Sequence, residues 1–226
     1  MESKRHRFYG RRRGHKLRQG RRDLLEDLLP KLRLDAKAGL AGAFAAMPPE
    51  IWLEIGFGGG EHLAAQAESH PDIGFIGCEP FINGVAGLLV TVAEKGLTNI
   101  RIFDDDAREL LNVLPENSIA KAFILFPDPW PKKRHHRRRF IGPETLDHLS
   151  RLMKDGAELR FASDHMGYAS WTLEHVTRHG DFAWPVSRPA DWRERPGDWV
   201  ETRYEMKALA KGKACAYFRF YRRSRL

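Results

Sequence analysis

A short segment in the middle of the chain carries the residue types best suited to chemistry. Residues 126–131, F-P-D-P-W-P, place one carboxylate, Asp128, in a rigid proline corner after an apolar run. Eight basic or imidazole side chains follow without a break, at 132–139. Ligands of open α/β sheets bind beyond the carboxyl ends of the strands, and clustered cations hold phosphates. The combination indicates chemistry on a nucleic acid, with Asp128 facing the target.

The positive charge of the chain is concentrated rather than spread. The 226 residues carry a formal charge of +8, yet residues 1–22 alone carry ten Lys/Arg against Glu2, and the remaining residues sum to −1. Residues 1–22 contain glycines and few apolar side chains, which predicts a basic arm that is disordered when free and folds onto RNA. A merely solubilising arm is the alternative. In the second basic cluster, the residues predicted to follow an RNA backbone are Lys132, Lys133, Arg134, Arg137, Arg138 and Arg139.

Apolar runs and helical patterns alternate along the chain from residue 51 onward. The predicted strands are 51–55, 73–78, 100–103, 119–126 and 157–162, with a late one at 214–221. Such alternation predicts an α/β fold with a mostly parallel sheet and helices on both faces. Before it, residues 23–47 show a helical pattern interrupted by a proline, and residues 185–203 read as a long surface loop. We expect one domain over residues 23–226.

The first five predicted strands each end at or near a carboxylate or a glycine cluster. These ends hold Glu54 with a glycine turn, then Glu79, Asp106, Asp128 and Asp164. Because parallel strands present their carboxyl ends at one edge of a sheet, we expect these groups to converge on one ligand site.

The glycine turn, residues 54–61 (E-I-G-F-G-G-G-E), favours a ligand with positive charge. Glu61 stands where a dinucleotide motif has its third glycine, and a carboxylate there would repel a pyrophosphate. This argues against a nicotinamide oxidoreductase and suits S-adenosylmethionine. Glu79 would accept from the ribose hydroxyls and Asp106 from the adenine amine. The predicted cofactor-binding residues are Glu54, Gly56, Gly58, Glu79 and Asp106.

Six motifs in one order extend this interpretation over residues ~50–221. They are E-I-G-F-G-G-G, G-C-E-P, D-A-R-E-L-L, F-P-D-P-W-P-K-K-R-H-H-R-R-R, A-S-D-H and T-R-Y-E. With them the chain resembles the bacterial tRNA (guanine-N7)-methyltransferases, whose fold is a Rossmann-like class I methyltransferase with a seven-stranded sheet. The resemblance implies methylation of a variable-loop guanine, position 46, in tRNA. It implies Asp128 as the catalytic residue, with a cofactor contact as well. The implied substrate contacts are Lys132, Asp164, Thr202, Arg203, Tyr204 and Glu205, with Arg203 standing where Lys is common.

The chemistry of guanine N7 suggests roles for these residues. N7 has an available lone pair and needs no base, so alignment and electrostatics are the enzyme's contribution. We expect Asp128 to hold the guanine by accepting from N1–H and the exocyclic amine, and Lys132 to reach a phosphate or O6. Asp164 would bind a substrate amine or orient Lys132. The 202–205 segment would close over the base.

Two other functions remain open on the sequence: a small-molecule methyltransferase, and a non-catalytic RNA-binding protein on a nucleotide-binding fold. No signal-peptide pattern or membrane-length apolar run is present, which predicts a cytoplasmic protein without a membrane partner. Cysteines and histidines match no metal-ligand spacing, so we expect no metal. The oligomeric state is not determined by the sequence.

Overall fold

Seven strands form a mixed sheet with connecting helices in the computed structural model, which describes residues 8–225. This confirms the predicted fold class. The described residues group into two units, one ending at Pro115 and the other starting at Glu116. The prediction of one domain over 23–226 stays a prediction.

The first unit contains three parallel strands in the order β3-β2-β1. They are β1 (Ile51–Ile55), β2 (Gly74–Cys78) and β3 (Ile100–Phe103). Its helices are α1 (Gln19–Asp27), α2 (Leu29–Leu32), α3 (Glu61–Ser69), α4 (Ile82–Lys95) and α5 (Ala107–Val113). Every residue of β1 and β2 is buried, as expected of parallel strands covered on both faces.

The register of these strands brings their carboxyl ends level. Ile55 pairs with Cys78, and Cys78 pairs with Phe103. Beyond the strands, the Gly56 amide donates to the Cys78 carbonyl at 2.8 Å and the Glu79 amide to the Phe103 carbonyl at 3.0 Å. The segments that leave β1, β2 and β3 therefore start at one edge of the sheet.

The second unit contains the remaining strands in the order β4-β5-β7-β6. They are β4 (Ile119–Leu125), β5 (Met153–Ser163), β6 (Phe182–Ala183) and β7 (Ala216–Arg222). The helices are a 3-10 helix (Lys133–Arg138), α6 (Pro143–Leu152), α7 (Met166–Arg178), α8 (Ala190–Arg193) and α9 (Arg203–Leu209). β4 and β5 are parallel, whereas β7 is antiparallel to both β5 and β6.

Helical structure before β1 is shorter than the pattern in residues 23–47 predicts. It ends with α2, after which Arg33 forms a bridge with Ile102 of β3 and the Leu34 amide donates to the Ile102 carbonyl at 2.8 Å. Pairing with the edge strand thus overrides the helical preference of the segment, as tertiary contacts often do.

Part of the predicted basic arm contacts other residues of the first unit, to which it belongs. Residues 1–7 lie outside the described residues. Arg12 pairs with Asp105 at 2.6 Å and its carbonyl accepts from the Ile82 amide, while the Gly14 amide donates to the Asn83 side chain at 2.8 Å. The arm boundary expected at residue 22 falls inside α1. The disorder expected of the free arm stays a prediction.

Candidate active site

The glycine turn after β1 has a backbone that side-chain-bearing residues rarely adopt. Gly56 and Gly58 have φ of 74° and 57°, in the left-handed region that glycine tolerates. Helix α4, which follows β2, also approaches the turn through a glycine, since a Cβ on Gly84 would lie 2.1 Å from the Gly58 carbonyl oxygen. The lack of side chains on Gly58 and Gly84 therefore allows the turn to lie directly against α4.

Glu79, the residue after β2, is bound to this turn. Its Oε2 accepts from the Gly58 amide at 2.8 Å and its Oε1 from the Phe81 amide at 2.9 Å. The buried carboxylate therefore links the glycine turn to the start of α4.

Glu54, at the end of β1, has a partner outside the predicted site residues. His62 Nδ1 lies 2.7 Å from Glu54 Oε2, and both side chains are buried. His62 is the second residue of α3. His62 follows Glu54 by eight residues, across the end of β1, the glycine turn and the start of α3. This spacing is the signal in the sequence that predicts a side chain over the end of β1.

Asp106 follows β3 and caps α5. Its Oδ1 accepts from the Arg108 amide at 3.1 Å, and the Arg108 guanidinium lies 3.1 Å from Oδ2. The carboxylate is buried, so an N-cap and an ion pair account for its position.

The corner around Asp128 is strained at both ends. Phe126 and Trp130 have φ of 50° and 42°, a conformation that costs bulky residues roughly 1–3 kcal/mol each and clusters at functional sites. Asp128 lies between them, exposed to solvent. Desolvation by surrounding protein atoms nevertheless raises the pKa of its carboxyl. The carboxylate is therefore held partly away from water in a fixed backbone.

The basic cluster at 132–139 divides into two groups. Lys132, Lys133, Arg134 and Arg137 are exposed, and Arg138 is half-buried with its guanidinium 5.0 Å from the centre of the Trp130 ring.

Arg139 corrects the predicted RNA-facing set. It is only 5% exposed and donates to the carbonyls of Pro129 and Gly167 at 2.9 and 3.2 Å. A buried guanidinium that donates to two backbone carbonyls is not available to a phosphate.

Asp164, directly after β5, is level with the Asp128 corner along the sheet. Leu125 pairs with Ala162, and the Phe126 amide donates to the Ala162 carbonyl at 2.8 Å. Asp164 binds Lys213 at 2.5 Å. The alternative in which Asp164 orients Lys132 is therefore not the arrangement seen here.

The 202–205 segment starts a helix that was not predicted. Thr202 Oγ1 accepts from the Glu205 amide at 3.2 Å and caps α9, with Arg203 and Tyr204 exposed. Ser/Thr followed three residues later by Glu is a known helix-start signature, and it was the signal available.

Glu205 is an unusual member of that segment. It is 0% exposed, accepts from the Tyr217 hydroxyl at 2.5 Å and faces Arg195 at 3.4 Å, both through Oε1. Burial, followed by the bond to Glu205, raises the pKa of Tyr217 and keeps it a donor. Glu205 Oε2 has no hydrogen-bond partner within residues 8–225.

The described part of the chain contains neither a metal-binding cluster nor a helix that could span a membrane. No group of three or more His, Cys, Asp or Glu side chains there could hold a metal ion. None of its helices is long and apolar enough to cross a bilayer.

Solved structures with this fold include two RNA methyltransferases. The 16S rRNA methyltransferase KamB aligns with a TM-score of 0.58 at 14% identity, over 78% of this chain and 89% of that one. A 16S rRNA (adenine(1408)-N(1))-methyltransferase from Catenulisporales acidiphilia aligns with a TM-score of 0.55 at 16% identity, over 85% and 95%. These likenesses identify a methyltransferase fold.

Comparison with known sequences identifies the family of this chain, whereas the solved structures identify only its fold. A family model described as "Putative methyltransferase" matches residues 49–217, which include the carboxyl ends of β1 to β5 and the residues that follow them. The tRNA (guanine-N(7)-)-methyltransferase of Rhodospirillum rubrum is 53% identical over 97% of this chain and 89% of its own length. The enzyme of the same name from Agrobacterium fabrum is 49% identical over 96% and 95%. With identity this high along almost the whole chain, and with carboxylates at the strand ends of a methyltransferase fold, the chain belongs to the tRNA (guanine-N(7)-)-methyltransferase family.

Proposed function

We propose that this protein transfers the methyl group of S-adenosylmethionine to N7 of a guanine in tRNA, the variable-loop guanine at position 46. The observation that carries the proposal is the set of carboxylates in or after the carboxyl ends of β1, β2 and β3 at one edge, with a glycine turn and no phosphate-binding motif. Close relatives with the corresponding name support the reaction and the substrate.

The first unit supplies the residues for the cofactor. Glu54 suits the ammonium group, and the bare backbone at Gly56 and Gly58 suits a closely packed ligand. A carboxylate has about four acceptor positions, so Glu79 can bind two amides and still accept from ribose hydroxyls. Asp106 would meet the adenine amine while capping α5. When bound, S-adenosylmethionine supplies an activated methyl group.

The second unit supplies the residues for the guanine and the RNA. An ionised Asp128 accepts from N1–H and the exocyclic amine of the base, which orients N7 without removing a proton from it. The reaction thus depends on positioning, which contributes about 7–11 kcal/mol in well-oriented systems. We also assign Asp128 a contact with the cofactor.

The remaining substrate contacts differ in how directly they can form. Lys132 is exposed and would bind a phosphate or O6, and Asp164 would bind a substrate amine in place of Lys213. Arg203 and Tyr204 are exposed on α9 and would contact RNA beside Thr202. Glu205 is buried, so it reaches substrate only if α9 moves.

The tRNA partner fits the distribution of charge. Five side chains of the basic cluster would follow the RNA backbone: Lys132, Lys133, Arg134, Arg137 and Arg138. The proposed site of action is the cytoplasm, where tRNA is found.

Incubation with labelled S-adenosylmethionine and unmodified tRNA, followed by nucleoside analysis, tests the proposal. We expect 7-methylguanosine, and we expect it to disappear when position 46 of the tRNA is adenine. A protein that binds the cofactor but forms no 7-methylguanosine on any tRNA would contradict the assigned reaction. Label that persists with the adenine-46 transcript would contradict the assigned position.

A further inference from the structure

We infer that Arg139 is a positioning residue that holds the Asp128 corner in its reactive conformation, an inference that rests on the role proposed for Asp128. Arg139 lies at the end of the basic cluster but is buried, unlike the exposed Arg137 two residues before it. Its burial calls for a function other than binding phosphate.

The contacts of Arg139 join the corner to α7. Nε donates to the Pro129 carbonyl at 2.9 Å, and Nη1 donates to the Gly167 carbonyl at 3.2 Å. The guanidinium carbon lies 5.0 Å from the centre of the Tyr168 ring and 5.2 Å from that of Trp171. α7 begins two residues after Asp164, so a single side chain connects the segment after β4 with the helix after β5.

Arg139 anchors the corner at the carbonyl oxygen of Pro129, the residue directly after Asp128. Pro127 and Pro129 have no amide hydrogen to donate, which leaves the corner fewer donors and gives its carbonyls and its ends more weight in fixing it. The Phe126 amide is bound to the Ala162 carbonyl at one end, and Arg139 grips the other. Positive φ at Phe126 and Trp130 persists only where surrounding structure enforces it.

Arginine is suited to this role and lysine is not. Its planar fork reaches two carbonyls from different elements while stacking on aromatic faces, whereas an ammonium is a compact point charge. Burial lowers the pKa of the Arg139 guanidinium, but arginine stays charged in proteins. Loss of either contact would let the corner relax and move Asp128.

The test compares Arg139→Ala and Arg139→Lys with Arg178→Ala, which removes an exposed arginine of α7 paired only with Glu174 among the described residues. We expect both Arg139 variants to lower kcat about 100-fold, as for a displacement near 1 Å, with little change in S-adenosylmethionine or tRNA affinity. Added ethylguanidinium should restore activity to Arg139→Ala, and ethylammonium should not. Arg178→Ala should behave as the parent protein.

Different results separate this inference from the assignment of Asp128. Asp128→Asn is measured alongside: if it retains full kcat, the role proposed for Asp128 fails. If it loses activity while Arg139→Ala and Arg139→Lys keep theirs, only the Arg139 inference fails. Loss of tRNA affinity at unchanged kcat would overturn the inference by making Arg139 a phosphate ligand. Should Arg139→Ala not fold, an unchanged kcat and pH profile in Arg139→Lys would also overturn it.

Discussion

At the scale of single residues, the Asp128 corner shows how the chain fixes a carboxylate before substrate arrives. Two prolines restrict φ on either side of it, and the strained conformations at Phe126 and Trp130 are set by contacts elsewhere. The free-energy cost of ordering the Asp128 corner is therefore met when the protein folds, and substrate binding does not have to meet it. Partial desolvation of the same carboxylate raises its pKa, which gives the residue a measurable pH signature.

We expect the acid limb of the single-turnover rate to report that pKa. Asp128 accepts hydrogen bonds only when ionised, and a carboxyl with a raised pKa ionises at higher pH than an ordinary aspartate, about 3.9. The rate should therefore fall as pH drops through a value above about 3.9. Asp128→Asn should lower the rate at neutral pH about 100-fold, as expected for lost positioning, remove this limb, and leave cofactor affinity far less affected. Equal losses of turnover and cofactor affinity would contradict the proposed role.

His62 makes a second prediction at this scale. His62→Leu removes a buried partner of Glu54, and hydrogen bonds to charged groups contribute about 1.5–3 kcal/mol. We expect S-adenosylmethionine affinity, measured by calorimetry, to fall about tenfold or more. Because His62 acts through Glu54, the double variant with Glu54→Gln should bind no more weakly than Glu54→Gln alone. Additive losses would show that His62 contributes independently.

At the scale of elements, one buried carboxylate joins three strands of the second unit. Glu158 of β5 lies 2.9 Å from Arg160 on its own strand and 3.5 Å from Lys121 of β4, and it accepts from Arg219 of β7. Burial alone would raise the pKa of Glu158, but these three cations hold it below its usual value. The cluster therefore ties the parallel part of the sheet to the antiparallel edge.

Glu158→Gln should destabilise the protein in a pH-dependent way. Removing one partner from a buried ion pair costs about 3–5 kcal/mol, so the free energy of unfolding at pH 7 should fall by about that amount. A lowered pKa in the folded state gives stability that is present above the unfolded value, about 4.3, and lost as pH falls through the folded value. The difference in the free energy of unfolding between Glu158→Gln and the parent protein, measured by urea denaturation, should therefore become smaller at acid pH. Glu116→Gln, at an exposed carboxylate, is the control and should change little at any pH.

At the scale of the whole molecule, the net charge of +8 is carried by the N-terminal arm and local clusters. The structure places Arg12 of the arm against Asp105, beside the strand end that carries Asp106. The arm therefore contacts the unit assigned to the cofactor, while the exposed cations at 132–137 lie in the other. Each counterion released by a phosphate contact adds to the salt dependence of RNA binding.

We expect tRNA affinity to fall steeply with salt and to lose part of that dependence when the cluster is neutralised. A variant with alanine at Lys132, Lys133, Arg134 and Arg137 should reduce the slope of log K against log salt by about 3, at roughly 0.7–0.9 per phosphate. Filter binding across a salt series measures this slope. Arg178→Ala serves as the matched loss of an exposed arginine. An unchanged slope in the cluster variant would exclude these side chains from the RNA interface.

Much of the scaffold was predictable because its signals are local. Apolar runs predicted β1 and β3 at their observed bounds, and glycines and carboxylates at the strand ends located the candidate site. The helix α9 was missed although Thr202 and Glu205 show its start signature, since a Pro/Trp-rich stretch before them is typical of a loop. The partners of Glu54 and Asp164 were not predictable, because His62 and Lys213 depend on how separate elements pack.

The amino-acid sequence by itself determined the α/β class, the strand ends and the chemistry available there, since periodicity and residue type act over a few neighbours. Tertiary structure alone decided which charges face solvent and which are committed inside. Arg137 and Arg139 are two residues apart in one basic run, yet the first is exposed and the second grips the carbonyls of Pro129 and Gly167. The burial of a side chain depends on which distant parts of the chain pack around it. It therefore cannot be predicted from the few residues on either side.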